Sequence, residues 1–239
     1  MILWITGIPT AGKTWLDDFL QHYHGWIHID GDEGMLVRPD EDTTKNVAVA
    51  FFQYWMKSEV APVKLWHPYY RNLCQEVKTV SEQNPNANIV ITGATYLRIM
   101  RDFLRNQIKE NTSQELTYVS LHVSEEEYVK RIAKRTREYA KSIGKTMEEY
   151  WKFRNYGEYS ESKEEEHYRS QGYIKLNEVI QNDEPNSSTI DVDDKANAVP
   201  EISRILNLPS VDAVDAELIT QINVTRWKAA MEKRDGGKK

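Results

Sequence analysis

The chain is short of cysteine, of long apolar runs and of positive charge, and each shortage removes a class of protein. Cys74 is the single cysteine among 239 residues, so no intrachain disulfide can form, which suits a reducing compartment. Its neighbours Tyr70, Leu73 and Val77 recur at helical spacing, and Cys74 reads as a small core residue rather than a nucleophile. No stretch approaches the roughly 20 apolar residues that cross a bilayer as a helix. The chain enters its first apolar run at residue 2 with no basic and apolar leader, so a soluble cytoplasmic protein with no membrane partner is expected. Lys and Arg number 31 against 37 Asp and Glu, a formal net charge of -6. Nucleic-acid binding draws most of its affinity from cations that neutralise phosphates, so no nucleic-acid partner is expected. The six histidines show no zinc spacing with cysteine and no i, i+4 pair on one helix, and none is assigned to a metal.

What is present starts at the beginning. Gly7, Ile8, Pro9, Thr10, Ala11, Gly12, Lys13 and Thr14 spell GIPTAGKT, which fits the GxxxxGK[ST] phosphate-binding loop. The apolar run Ile2 to Ile5 before it reads as a buried strand. Trp15, Leu16, Phe19 and Leu20 after it recur at helical spacing. In a strand, turn and helix of this kind, backbone N–H groups converge on one concavity and satisfy phosphate oxygens without a side chain. Lys13 then reaches the outer phosphates, and the Thr14 hydroxyl ligates magnesium. A nucleoside triphosphate is the expected ligand.

Further apolar runs follow at Trp26 to Ile29, Ile89 to Thr92, Leu116 to His122 and Thr189 to Val192. Helical patterns separate them, over Asn46 to Lys57, Pro68 to Gln83, Arg98 to Lys109 and from Ser124, whose capping box has Glu127 as its partner. Strands alternating with helices predict an α/β fold with a parallel sheet covered on both faces. Two stretches break the pattern. Arg137 to Gln171 is too aromatic for simple disorder and too polar for core, and reads as a mobile, partly helical cover over the site. Ser210 to Arg234 reads as one or two amphipathic helices that either pack on their own domain or make a homodimer contact. The expected organisation is a domain over 1–207, with a lid at about 131–171, and a helical extension and tail over 208–239.

Asp30 and Asp32 leave the second strand at its C-terminal end, the edge where open α/β sheets bind ligands. Alternation puts them on one side, so one carboxylate can orient magnesium while the other handles a substrate hydroxyl. Arg131 and Arg135 lie four apart on the helix from Ser124 and share a face from which a guanidinium can follow developing phosphoryl charge. Aromatics from Phe51 to Tyr70 either line a substrate pocket or fill the core. Arg38 and Arg71 are the nearby cations for an anionic group on the acceptor.

The blocks GIPTAGKT, HIDGDE, ITGATYLRIMRDFLR, LTYVSLHVSEEEYVKRIAKR and TIDVDDKANAVPEISRIL, in that order over about residues 1–207, resemble the gluconate kinase and shikimate kinase branch of small-molecule P-loop kinases. The resemblance implies a three-layer P-loop NTPase fold with a five-stranded parallel sheet, a helical lid and here a C-terminal helical appendix. It also implies ATP and Mg²⁺ as cofactors and a small-molecule hydroxyl as acceptor. By the same resemblance Asp30 serves the metal and Asp32 the acceptor. Lys13 is catalytic, together with the lid residues Arg135 and Arg131. Leu97 stands where gluconate kinases tend to carry a lysine. A nucleoside or nucleotide kinase is the alternative within enzymes. A nucleotide-binding regulatory protein without turnover is the alternative outside them.

Overall fold

The first strand of the computed structural model, β1 (Ile2–Gly7), is buried at every residue, as a strand with neighbours on both sides and layers above and below must be. The structure describes residues 1–31, 41–177, 180–211 and 213–225. In chain order β1 is followed by α1 (Lys13–His24), β2 (Ile27–Asp30), α2 (Glu41–Val49), α3 (Val63–Gln83), β3 (Ile89–Thr92), α4 (Arg98–Thr112) and β4 (Leu116–His122). Then come α5 (Glu125–Ser142), α6 (Met147–Phe153), α7 (Glu161–Arg169), α8 (Gly172–Leu176), β5 (Ser187–Asp191) and α9 (Ala198–Leu206). Residues 216–225 form a last helix, α10.

The five strands make one sheet in the order β2-β3-β1-β4-β5, and every pairing is parallel. All five therefore end at the same edge. The connections from β1 and β3 leave in opposite directions, so the loop after β1 opens where such sheets bind ligands.

The α3 helix begins at Val63 and carries Pro68 inside it, whereas the proline predicts a start at residue 68. Pro68 leaves the Lys64 carbonyl without its i+4 donor. Burial of Trp66 on one side of it and Tyr69 and Tyr70 on the other offsets that loss. The helix predicted over 46–57 begins at Glu41 and changes winding on the way. Ala50–Tyr54 is a π-turn and Trp55–Lys57 a 3₁₀-turn, which rotates Trp55 into the core, 3% exposed, against the ring of Tyr96.

An ionic cluster sits among the apolar side chains. Arg101 on α4 is 1% exposed and Glu184, just before β5, is 4%. The Glu184 carboxylate accepts hydrogen bonds from Arg101 Nε at 2.9 Å and Nη2 at 2.6 Å, from Arg105 at 2.8 Å and from the Gln181 amide at 3.1 Å. With both oxygens satisfied by charged donors, the buried charge is compensated in place. The segment before β5, which has no periodicity to hold it, is thereby fixed on α4.

The described part of the C-terminal stretch, residues 213–225, packs against α1. In α10, Ile219 is fully buried and Asn223 donates to Asp18 of α1 at 3.0 Å, while the Asp215 amide donates to the Tyr23 hydroxyl at 2.9 Å. Trp227 and Met231 of that stretch lie outside the described residues.

Candidate active site

Gly7 ends β1 with φ 151°, and a Cβ there would stand 2.8 Å from the Leu121 carbonyl oxygen on the neighbouring strand. Only glycine lets the chain turn out of the sheet so close to β4. The Ala11 amide donates to the Ile8 carbonyl at 3.2 Å, and Gly12 leads into α1 without a side-chain cap. The first amides of α1 are therefore left to an external acceptor at the loop. Lys13 opens the helix and folds back, donating to the carbonyls of Gly7 at 2.9 Å and Ile8 at 3.2 Å. Thr14 follows in the same turn. All eight residues of the sequence pattern thus stand in one strand, turn and helix, with Thr10 at φ 68° near its middle.

Asp30 is the last residue of β2 and lies opposite Thr92, the last of β3. Two residues back on the same face, His28 bridges two elements: Nδ1 is 3.0 Å from the Asp17 carboxylate on α1, and Nε2 is 2.7 Å from the Thr92 hydroxyl. Burial pushes the imidazole down to about 4, against the opposing pull of Asp30. His28 is thus neutral at pH 7; its Nδ1–H donates to Asp17 and its Nε2 accepts from Thr92. The loops after β2 and β3 are held from α3, where Tyr69 donates to the Gly31 carbonyl and Tyr70 to that of Ala94 at 2.5 Å. The Thr95 amide and hydroxyl both reach Thr6 Oγ1 at 3.0 Å, which ties the third strand's exit to β1. Asp32 and Arg38 lie outside the described residues.

Ser124 caps α5 at the same edge, its Oγ accepting from the Glu127 amide at 3.3 Å. The other half of the predicted box is replaced, because the Glu127 carboxylate pairs with Arg131 at 2.8 Å. Helix α7 returns antiparallel to α5: Arg169 meets Glu125 at 2.8 Å near one end and Arg137 meets Glu164 at 2.6 Å further out. At the tip, Thr146 and Glu149 make a full capping box for α6. Ala140, Tyr150 and Trp151 form a second small core there, with Tyr139, Met147 and Tyr159 around it. The aromatic stretch is helical, and its rings serve largely to pack the arm on itself. Beyond α7 the chain crosses to the turn at Trp55–Lys57, where Gly172 lies so close to Met56 and Ser58 that a Cβ would collide with their backbone. The Ser58 hydroxyl donates to the Gly172 carbonyl at 3.1 Å.

The two arginines of α5 expected at the site have different surroundings. Arg131 is 8% exposed and donates from Nη2 to the carbonyls of Val192 at 2.6 Å and Asp193 at 2.9 Å, so it fastens α5 to the exit of β5. Arg135, one turn on, is exposed and has no hydrogen bond or ion pair among the described residues. Trp55, Trp66, Tyr69 and Tyr70 are core side chains, while Phe52 is 65% exposed. Arg71 is exposed, 3.5 Å from His67 Nδ1. Cys74 is fully buried, and burial pushes its thiol up to about 12, as its core assignment requires. Sequence reasoning missed the Asp17, His28 and Thr92 chain. The signal was there in His28 sharing a strand face with Asp30, and in Asp17 four residues after Lys13.

No family model matches the chain, and no curated protein sequence matches it. Among solved structures it is similar to a sugar kinase from Janibacter sp. HTCC2649, with a TM-score of 0.55 at 13% identity over 87% of this chain and 94% of that one. It is also similar to a gluconokinase from Sinorhizobium meliloti 1021, with a TM-score of 0.50 at 16% identity over 85% of this chain and 91% of that one. With the parallel order β2-β3-β1-β4-β5 and the loop after β1, the chain has the α/β fold of P-loop NTPases.

Proposed function

We propose that the chain is a kinase that transfers the terminal phosphoryl group of ATP, with magnesium, to a hydroxyl of a small metabolite. What carries the proposal is the uncapped start of α1 behind Gly12, with Lys13 folded onto the loop and Asp30 ending β2 at the same sheet edge. The residues fit the ligands. Gly7 lets the chain leave β1 close against β4, where a Cβ would meet the Leu121 carbonyl, so the loop can form beside the start of α1, and Thr14 with Asp30 offers the hard oxygen donors that magnesium takes.

Lys13 exchanges its two loop carbonyls for phosphate oxygens, and the leading amides of α1 hold the phosphate chain in place. Thr14 and Asp30 would hold the magnesium, which would supply positive charge against the outer phosphates. Asp32 accepts the proton of the acceptor hydroxyl or orients it. Arg135, exposed on the arm, supplies the guanidinium for the equatorial oxygens when the arm lies over the site. Arg131 keeps the base of that arm on β5. Water is excluded by closure of the arm, and the rate comes mainly from positioning and charge compensation.

The test is ATP consumption against a panel of sugars, sugar acids, polyols and nucleosides, with Lys13→Ala as control. Turnover on one member, lost in a Lys13→Ala variant that melts normally, is the expected outcome. A folded Lys13→Ala protein that binds ATP undiminished would overturn the assignment.

A further inference from the structure

Helix α1 lies against β2 and β3 and places a buried carboxylate in that contact. The Asp17 side chain is 0% exposed and the His28 side chain 7%. Asp17 Oδ2 accepts from His28 Nδ1 at 3.0 Å and from the Gln21 amide at 3.1 Å, while the Thr92 hydroxyl of β3 donates to His28 Nε2 at 2.7 Å. One imidazole therefore ties three elements together. An apolar pair of similar bulk would hold a helix on a sheet at least as firmly, because taking polar groups out of water cancels much of what their bonds return. What the bonds add is a fixed distance and direction.

The atoms that need a fixed distance lie one rung higher. Helix α1 runs antiparallel to the strands, since it carries the chain from the end of β1 back to the start of β2 in a parallel sheet. Thr14 precedes Asp17 by three positions, which puts it on the same helix face and about 4.5 Å nearer the C-terminal edge of the sheet. Asp30 follows His28 by two, on the same strand face and about 6.6 Å nearer that edge. Its charge acts on the His28 ring. Thr14 and Asp30, both half-buried, thus flank the gap that Asp17 and His28 close just below them.

We propose that His28 is a positioning residue: by bonding Asp17 on α1 and Thr92 on β3, it sets the separation of Thr14 and Asp30 and so the fit of the magnesium that accompanies the nucleotide. This rests on the kinase reading of the site and adds to it a residue that touches neither nucleotide nor metal. Residues that orient metal ligands from behind typically change metal affinity by about 10-fold or more. The turn before α1 is built without His28, so binding of nucleotide in the absence of metal is kept.

The experiment is calorimetric titration of AMP-PNP in Mg²⁺ and again in EDTA, alongside thermal melts. The ratio of the two dissociation constants is the gain from metal. The double variant Asp17→Ala/His28→Phe removes the bridge, keeps a ring in the gap and leaves no charge buried there. It melts close to wild type, binds AMP-PNP in EDTA within about 2-fold of wild type, and loses about 10-fold of the metal gain. His28→Gln keeps a donor for Asp17 and an acceptor for Thr92 on one planar group, so its metal gain stays within about 3-fold of wild type. A full metal gain in the double variant overturns this inference alone, as does an equal loss in His28→Gln. An equal fall with and without Mg²⁺ would make the bridge a general support of the fold, and overturns it too. Should the double variant fail to fold, Asp17→Ala decides, because it leaves a neutral ring bonded to Thr92; an undiminished metal gain there overturns the inference. A wild-type chain that binds no nucleotide, or binds it equally with and without Mg²⁺, overturns the kinase reading and this inference with it.

Discussion

Replacing Glu184 by alanine strips the counter-charge from a guanidinium that water does not reach. The side chains of Arg101 and Glu184 are 1% and 0% exposed, and Arg105, 10% exposed, shares the same carboxylate. Breaking such a pair from one side costs about 3–5 kcal/mol, because the remaining charge stays buried without compensation. The carboxyl registers the same pairing: burial acts to raise it, but hydrogen bonds from Arg101 and Arg105 outweigh that and hold it at about 2 instead of 4.5. For a chain of this size the loss corresponds to a fall of about 10 °C in Tm, read by calorimetry or circular dichroism at pH 7. The neighbouring residue is the control. Asp183 makes the same two-pronged contact with Arg98, at 3.0 Å for each bond, but is 69% exposed, so Asp183→Asn leaves Tm unchanged within error. Because the folded carboxyl titrates below the unfolded one, its stabilisation is complete above about pH 4.5 and is lost as the pH falls toward 2. Glu184→Gln therefore flattens that part of the stability curve. Equal melting of the Glu184→Ala and Asp183→Asn variants would refute the reasoning from burial.

The arm, the sheet edge and the sequence pattern yield further tests, each stated as a prediction. Arg131→Ala lowers Tm, by about 2 kcal/mol of stability, since Glu127 and two carbonyls lose their donor. Arg135→Ala leaves Tm alone and depresses kcat more than it raises KM for ATP, and a fully active Arg135→Ala enzyme would remove this residue from the mechanism. Asp32→Asn lowers kcat by about 100-fold with nucleotide affinity kept, if the carboxylate handles the acceptor hydroxyl; loss of ATP binding alone would assign it to the metal instead. Gly172→Ala drives a Cβ into the backbone at Met56 and Ser58, so hydrogen exchange over residues 55–58 and 172–176 speeds up together. Unchanged protection in both segments would mean the contact is not held in solution.

The turn from β1 into α1 is readable in the sequence because loop, strand and helix are contiguous, and each carries its own period or pattern. The strand positions are readable for the same reason, to within about two residues. What fails to show is contact between distant segments. Glu184 lies in a stretch with no periodicity, and its partner Arg101 is 83 positions away, so nothing local marks it as buried. The aromatic stretch after Arg137 reads as neither core nor linker because it builds a small core of its own, from rings interleaved with charge, around Trp151 and Tyr150. Arg131 and Arg135 look equivalent on a helical face. Only the return of β5 beside α5 makes the first an anchor and leaves the second exposed.

The place of β1 has a consequence for synthesis. Ile2 pairs with Ile89 on one side and with Leu116 on the other, so this fully buried strand is made well before either of its neighbours. At about 5–20 residues per second, on the order of 4–17 s pass between translation of residue 2 and of residue 89. From the time it clears the exit tunnel until residue 89 follows, a strand apolar from Ile2 to Ile5 is unpaired, with two open edges. Nascent chains arrested at residue 80 should therefore recruit holdase chaperones through residues 2–7, and chains arrested beyond residue 160 should not. Equal crosslinking at both lengths would show that β1 finds shelter by some other route.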